Sequence, residues 1–238
     1  MKINITRRHL EVYITESSRR SQQSHKEYTI YGDTLVLVKD PLPEYINLSA
    51  CLKRIEKIVP YHLIYGLDSV FIGKFPEFEK RQINAFYRDG AIYITNEQDD
   101  EEDFIDDMVH EFAHLVANNY GSEIFENNTL VREFLGKRQR LFFLLKGEGY
   151  DVNPGDFTNI EYSYEFDMFL FKEVGYEVLS QITAGLFVTP YSATSVAEYF
   201  AEGFETYYLR NRSELKGVSP VCYQKIFSLL CFLGFHCI

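Results

Sequence analysis

Apolar and polar positions change character near residue 96: β-rich runs around one helical stretch come before it, and helical spacing dominates after it. Residues 28–38 hold two β-rich runs around Gly32-Asp33, which predicts two short strands joined by a turn. Pro41 and Pro43 break the pattern. Residues 44–59 then place Ile46, Leu48, Leu52, Ile55, Ile58 and Val59 at helical spacing. Residues 67–75 read as a strand, and residues 85–95 carry Asp89-Gly90 between β-rich flanks, the strongest hairpin signal in the chain. Beyond Asn96 the character shifts. A mostly acidic run over 97–107 leads into Ile105, Met108, Val109, Phe112 and Val116 at spacings of three and four. This predicts a helix over 102–119 with its acids at the positive end of the helix dipole. Further helices are expected over 123–147, 161–184, 196–212 and 219–233, with a loop at Asn153-Pro154-Gly155. The polar segment 16–26 reads as a loop, and no internal repeat is visible. Strands first and helices later predict an α+β fold, a small mixed sheet followed by a mostly helical C-terminal half. One domain is expected, with its α/β part at about 1–120 and its helical part at about 121–238.

Composition narrows the class. The 238 residues are 46% hydrophobic and 25% charged, enough for a sizeable core and unlike a disordered chain. There is no run of 18 apolar residues, so no membrane partner is expected. No apolar stretch follows the basic N-terminal residues, so the expected location is cytoplasmic, or outside by a route without a visible signal peptide. The net charge of −11 argues against a general nucleic-acid partner. The charge is uneven: residues 1–95 carry 14 Lys and Arg against 11 Asp and Glu, and the excess of acid lies beyond them. Such an excess suits a cation site or a basic partner, and it equally suits a solvated acidic surface. Cys51, Cys222, Cys231 and Cys237 form no C-x-x-C pair, and Cys222 and Cys231 are expected as small core residues of a C-terminal helix.

The acidic helix contains His110-Glu111-Phe112-Ala113-His114, an H-E-x-x-H pattern. Four helical residues turn through about 400° and rise about 6 Å, so both imidazoles share one face and can reach a single Zn²⁺. Glu111 lies about 100° further round, beside the ion, where its carboxylate can take a proton from an activated water. The competing reading is a pair of surface histidines on an acidic helix. A catalytic zinc needs a third protein ligand, and residues 114–120 do not offer the His of an extended motif. The best candidates lie in Ser195-Val196-Ala197-Glu198-Tyr199-Phe200-Ala201-Glu202-Gly203-Phe204-Glu205. Glu198 and Glu202 are one turn apart on the same face. With Glu198 on the metal, Glu202 can accept the second ring N–H of a ligating histidine. Ser195-x-x-Glu198 also fits a capping box, and Glu202 with Glu205 also fits a solvated face.

The run Tyr191-Ser192-Ala193-Thr194-Ser195-Val196-Ala197-Glu198-Tyr199-Phe200-Ala201-Glu202, taken with the His110–His114 pentamer, resembles zincin metallopeptidases of the gluzincin type. The likeness is to the lethal factor catalytic domain and the Pro-Pro endopeptidases. It covers residues 85–212 and implies a zincin-like fold in which His110, His114 and Glu198 bind zinc. It further implies that Glu111 is the general base and that Tyr191, seven residues before Glu198, supports the oxyanion. His114 and Glu198 are 84 residues apart, a longer separation than that family leads one to expect, so residues 121–180 are read as an added segment. The expected activity is zinc-dependent endopeptidase cleavage of a protein or peptide substrate, with residues 91–96 binding substrate as an added strand or forming an ordinary hairpin strand. The alternative is a zincin-fold binding protein without turnover.

Overall fold

The computed structural model describes residues 26–81 and 83–231. The 16–26 segment up to residue 25, Cys237 and the side chain of Cys231 lie outside the described residues. The chain divides into two compact units, one of residues up to 56 with 66–107, the other of residues 57–65 with those from 108 onward. The division falls inside a helix, between residues 107 and 108.

The first unit is built on a five-stranded mixed sheet in the order β1-β2-β3-β5-β4. The strands are β1 (Lys26–Ile30), β2 (Thr34–Val38), β3 (Ser69–Ile72), β4 (Ala85–Arg88) and β5 (Ala91–Ile94). β1 and β2 are antiparallel, β2 and β3 parallel, β3 and β5 parallel, and β4 and β5 antiparallel. Alternate residues along the strands face the core. Ile30, Val36, Val70, Ile72, Ile92 and Ile94 are all fully buried, while Phe71 stacks on Tyr93 at 5.2 Å and Phe86 on Tyr93 at 4.6 Å. Asp89 and Gly90 turn the hairpin with φ of 50° and 82°, the left-handed pair that this turn requires. α1 (Leu48–Ile58) buries Leu48, Cys51, Leu52 and Ile55, and α2 (Pro76–Arg81) is a short helix the periodicity does not announce.

The sheet order decides between the two readings of residues 91–96 in favour of an ordinary hairpin strand. β5 is hydrogen-bonded to β3 on one side and to β4 on the other, so residues 91–94 have no free edge to which a substrate strand could add. The tight Asp89-Gly90 turn folds β4 back along the very edge that role required.

α3 (Glu101–Asn119) carries the H-E-x-x-H residues. Asp100 caps it, its Oδ1 accepting from the Glu102 and Asp103 amides at 2.8 and 3.0 Å. Ile105, Met108, Val109, Phe112 and Val116 are buried, as their spacing predicts, and Phe104 is buried with them.

The second unit is helical. The helix expected over 123–147 is divided into α4 (Gly121–Phe125) and α5 (Thr129–Gly147) by Asn127 and Asn128, both left-handed at φ 59° and 56°. The helix expected over 161–184 becomes α6 (Tyr164–Met168), a wide turn over Phe169–Gly175, and α7 (Tyr176–Ile182), with Gly175 at φ 82°. The one expected over 196–212 stops early. α8 (Val196–Leu209) is followed by α9 (Arg212–Val218), whose cap Asn211 accepts from the Ser213 and Glu214 amides, and then by α10 (Pro220–Cys231). Cys222 is fully buried in α10, as expected.

α8 is buried almost all round, from Tyr199 to Tyr208. At Gly203 an added Cβ would collide with Cys222 Sγ, so glycine lets this helix approach α10. Gly203→Ala is expected to destabilise the fold by about 1–3 kcal/mol through overpacking. A urea midpoint unchanged from wild type would refute that contact.

α5 turns charged residues inward. Glu133 accepts from the Tyr199 hydroxyl at 2.8 Å and from the Val221 and Cys222 amides at 2.9 and 3.1 Å, capping α10 from outside. Lys137 donates to the carbonyls of Leu186 and Val218. These contacts pin α8 and the chain leading into it.

Candidate metal centre

All candidate residues of the centre lie in the second unit. His110 and His114 project from one face of α3 with ring centroids 5.1 Å apart. Glu198 comes from the first turn of α8, where Ser195 caps the helix by accepting from the Glu198 amide at 3.1 Å. Only half of a capping box forms. The Glu198 carboxylate meets the histidines instead: its Oε2 lies 3.0 Å from His110 Nε2 and 3.6 Å from His114 Nε2.

These separations have a chemical meaning. Donor atoms at metal distances of about 2.0–2.1 Å in a tetrahedron sit about 3.3 Å from one another. The observed 3.0 and 3.6 Å bracket that value. Two imidazoles and one carboxylate are also a donor set suited to zinc. The donor types therefore suit the ion that the sequence pattern implies, and the two separations to Glu198 are compatible with it, the shorter being also a hydrogen-bond distance.

The other ring nitrogen of His110 faces two more carboxylates. Nδ1 lies 3.5 Å from Glu202 Oε1 and 3.5 Å from Glu205 Oε2. Both glutamates are buried, at 8% and 6% exposure, so neither is a solvated face. Each is held by a neighbour. Thr189 donates to Glu202 at 2.7 Å, and Arg210 to Glu205 at 2.7 Å. With Nδ1 turned to carboxylates, its proton belongs there and Nε2 is the nitrogen that faces Glu198. Glu205 was given no role by the sequence. Its position three residues after Glu202 puts it on the same helix face, but a solvated face shares that pattern, so no sequence signal sets it apart.

Electrostatics follow from this crowding. Burial disfavours the His110 imidazolium, but hydrogen bonds to Glu198 and Glu205 and the charges of Glu198 and Glu202 outweigh it, and its pKa rises well above the ordinary value. Burial would raise Glu198, yet its bonds to His110 and His114 hold the carboxyl far below the usual carboxylate range. Burial pushes Glu202 up, against the pull of His110. Positive charge is thus strongly favoured between these groups, whether a proton or a metal ion supplies it.

Glu111 is buried at 6% exposure, and its ligand atoms and those of His110 and His114 lie within 4.8 Å of one another. Tyr191 sits in a single helical turn, Tyr191–Ala193, with its ring centroid 6.4 Å from that of His110. Burial, then the charges of Glu198 and Asp167, raise its phenol pKa, so it remains a hydrogen-bond donor. The turn is tied to Glu202 through Thr189, whose Oγ1 accepts from the Ser192 amide at 3.2 Å.

Residues 121–180 contribute neighbours that the sequence did not single out. Tyr162 donates to Asp167 at 2.8 Å, and the charges of Asp167 and Glu198 act on each other. No protein family, curated protein or solved structure matches the chain. No helix of the described residues is long and apolar enough to cross a membrane.

Proposed function

We propose that the chain is a zinc-dependent endopeptidase with a zincin-like fold, acting on a protein or peptide substrate. His110, His114 and Glu198 hold the metal, Glu111 is the general base, Tyr191 is the oxyanion donor, and Glu202 orients His110. The observation that carries this reading is the meeting of two imidazoles, four residues apart on α3, with a carboxylate from 84 residues further on, at 3.0 and 3.6 Å.

When bound, zinc would supply Lewis acidity and bring the pKa of water towards 7. The rest falls to the chain. The Glu111 carboxylate accepts a proton from the attacking water and passes it to the departing amine. The Tyr191 hydroxyl donates a hydrogen bond to the carbonyl oxygen as it gains charge. Glu202 holds the proton on His110 Nδ1 and so fixes the ring orientation.

Removing metal is the direct test. Purified protein is expected to carry one zinc per chain and to cleave members of a diverse peptide library, read by mass spectrometry. Chelation should abolish cleavage and added zinc should restore it. Protein that takes up well below one zinc per chain refutes the metal assignment. Full zinc with no cleavage of any peptide or unfolded protein would instead favour a binding protein of the same build.

A further inference from the structure

Arg138 lies on α5, inside the added segment, at 1% exposure. Among the described residues its guanidinium has no carboxylate as a hydrogen-bond partner; the four partners are main-chain carbonyls. Nη1 donates to Ala193 at 2.5 Å and to Thr194 at 3.1 Å, while Nη2 donates to Asp156 and, at 3.4 Å, to Asn159. The guanidinium carbon also lies 4.0 Å from the centroid of the Phe166 ring. Burial lowers its pKa to about 10, which leaves it charged at neutral pH.

A buried charge is costly, so this one needs a reason to be where it is. Its four carbonyls belong to two chain stretches. One is the loop 156–159. The other is the pair 193–194, which lies between Tyr191 and Glu198. The same junction continues as the Val196 amide donates to Ile160 at 2.9 Å. Thr194 in turn returns its amide and its hydroxyl to the Tyr191 carbonyl at 3.0 and 2.9 Å. The planar fork of arginine suits such a four-way junction, and the single ammonium of lysine does not.

We infer that Arg138 is a positioning residue, clamping the 156–159 loop to the 193–194 carbonyls so that Tyr191 and Glu198 are held in register for the metal centre. The added segment is then a buttress of that centre. The part of this inference that concerns turnover rests on the peptidase reading, and the part that concerns the turn does not.

The test uses the full chain carrying Arg138→Met, with Arg138→Lys as the milder variant should the first not fold. In metal-free protein, amide hydrogen exchange at Ala193, Thr194, Val196 and Glu198 is expected to speed up about tenfold or more while amides 108–116 of α3 keep their protection. Zn²⁺ affinity should fall about tenfold, since Glu198 is no longer prearranged. On a cleaved peptide, kcat should fall with KM unchanged, and the losses from Arg138→Met and Tyr191→Phe should not multiply in the double variant. Exchange that accelerates uniformly across both regions, or fully multiplicative losses, would reduce Arg138 to a general stabiliser and overturn the inference. Should the wild-type chain cleave nothing, the exchange and zinc measurements decide the question alone.

Discussion

Glu111→Gln is expected to leave zinc content and thermal unfolding close to wild type and to lower kcat for peptide hydrolysis by roughly 10²–10⁴-fold. The amide matches the carboxylate in shape, so the packing around this buried side chain on α3 survives. What it loses is the ability to accept a proton from water. The selective loss matters because proximity alone admits another role. The ligand atoms of His110, Glu111 and His114 are within 4.8 Å of one another, a spacing from which Glu111 could itself bind the ion. The two roles separate in one experiment. A general base gives a variant that keeps its zinc and loses turnover, whereas a ligand gives one that loses both. Undiminished cleavage by a zinc-loaded variant would remove Glu111 from the chemistry.

Much of the centre was legible because local rules fix it. A hairpin turn such as Asp89-Gly90 and a capped, amphipathic helix such as α3 are decided within a dozen residues. The facing of His110 and His114 follows from helical geometry once α3 forms. The meeting of Glu198 with those rings is different in kind, since it depends on how two distant helices pack. It could be anticipated only because an unmatched pair of imidazoles calls for a carboxylate, and because the run around Glu198 resembles the ligand-bearing stretch of the zincin metallopeptidases.

The buried charges of α5 were not legible, and the reason is physical. Lys137 and Arg138 in a run of basic and polar residues carry the pattern of a solvated face. Nothing local reveals that the carbonyls of Leu186, Val218, Ala193 and Thr194 wait for them. Helix breaks at Asn127, Asn128 and Gly175 were missed for a related cause: apolar spacing runs across them, while left-handed backbone at single residues interrupts the helix. Glu205 shows the opposite case. Its helical position was known, and only its burial, supported by Arg210, distinguishes it from surface charge.

Loss of the metal should register in stability as well as in turnover, most sharply at Glu198. Zinc that binds the folded chain alone adds RT ln(1 + [Zn]/Kd), about 4 kcal/mol at a thousandfold excess over Kd. For a chain of this size that raises Tm by roughly 8–16 °C. Glu198→Ala is expected to abolish the increment and the bound zinc together. The comparison must be made between metal-free and zinc-loaded samples of each variant. Removing Glu198 also strips His110 and His114 of their partner, a cost that is present with or without metal. Glu202→Gln gives the graded case. It leaves the three donor atoms in place but weakens one of the two acceptors facing His110 Nδ1, the other being Glu205, so zinc affinity should fall by about 10–100-fold and the increment should shrink without vanishing. If the alanine variant still took up one zinc with the wild-type increment, the ion would have to be held by another set, such as His110 with Glu202 and Glu205. If both variants lost the increment completely, Glu202 would be acting as a ligand rather than as the group that orients one. The order of effects, complete at residue 198 and partial at residue 202, is what distinguishes a carboxylate on the metal from one behind its histidine.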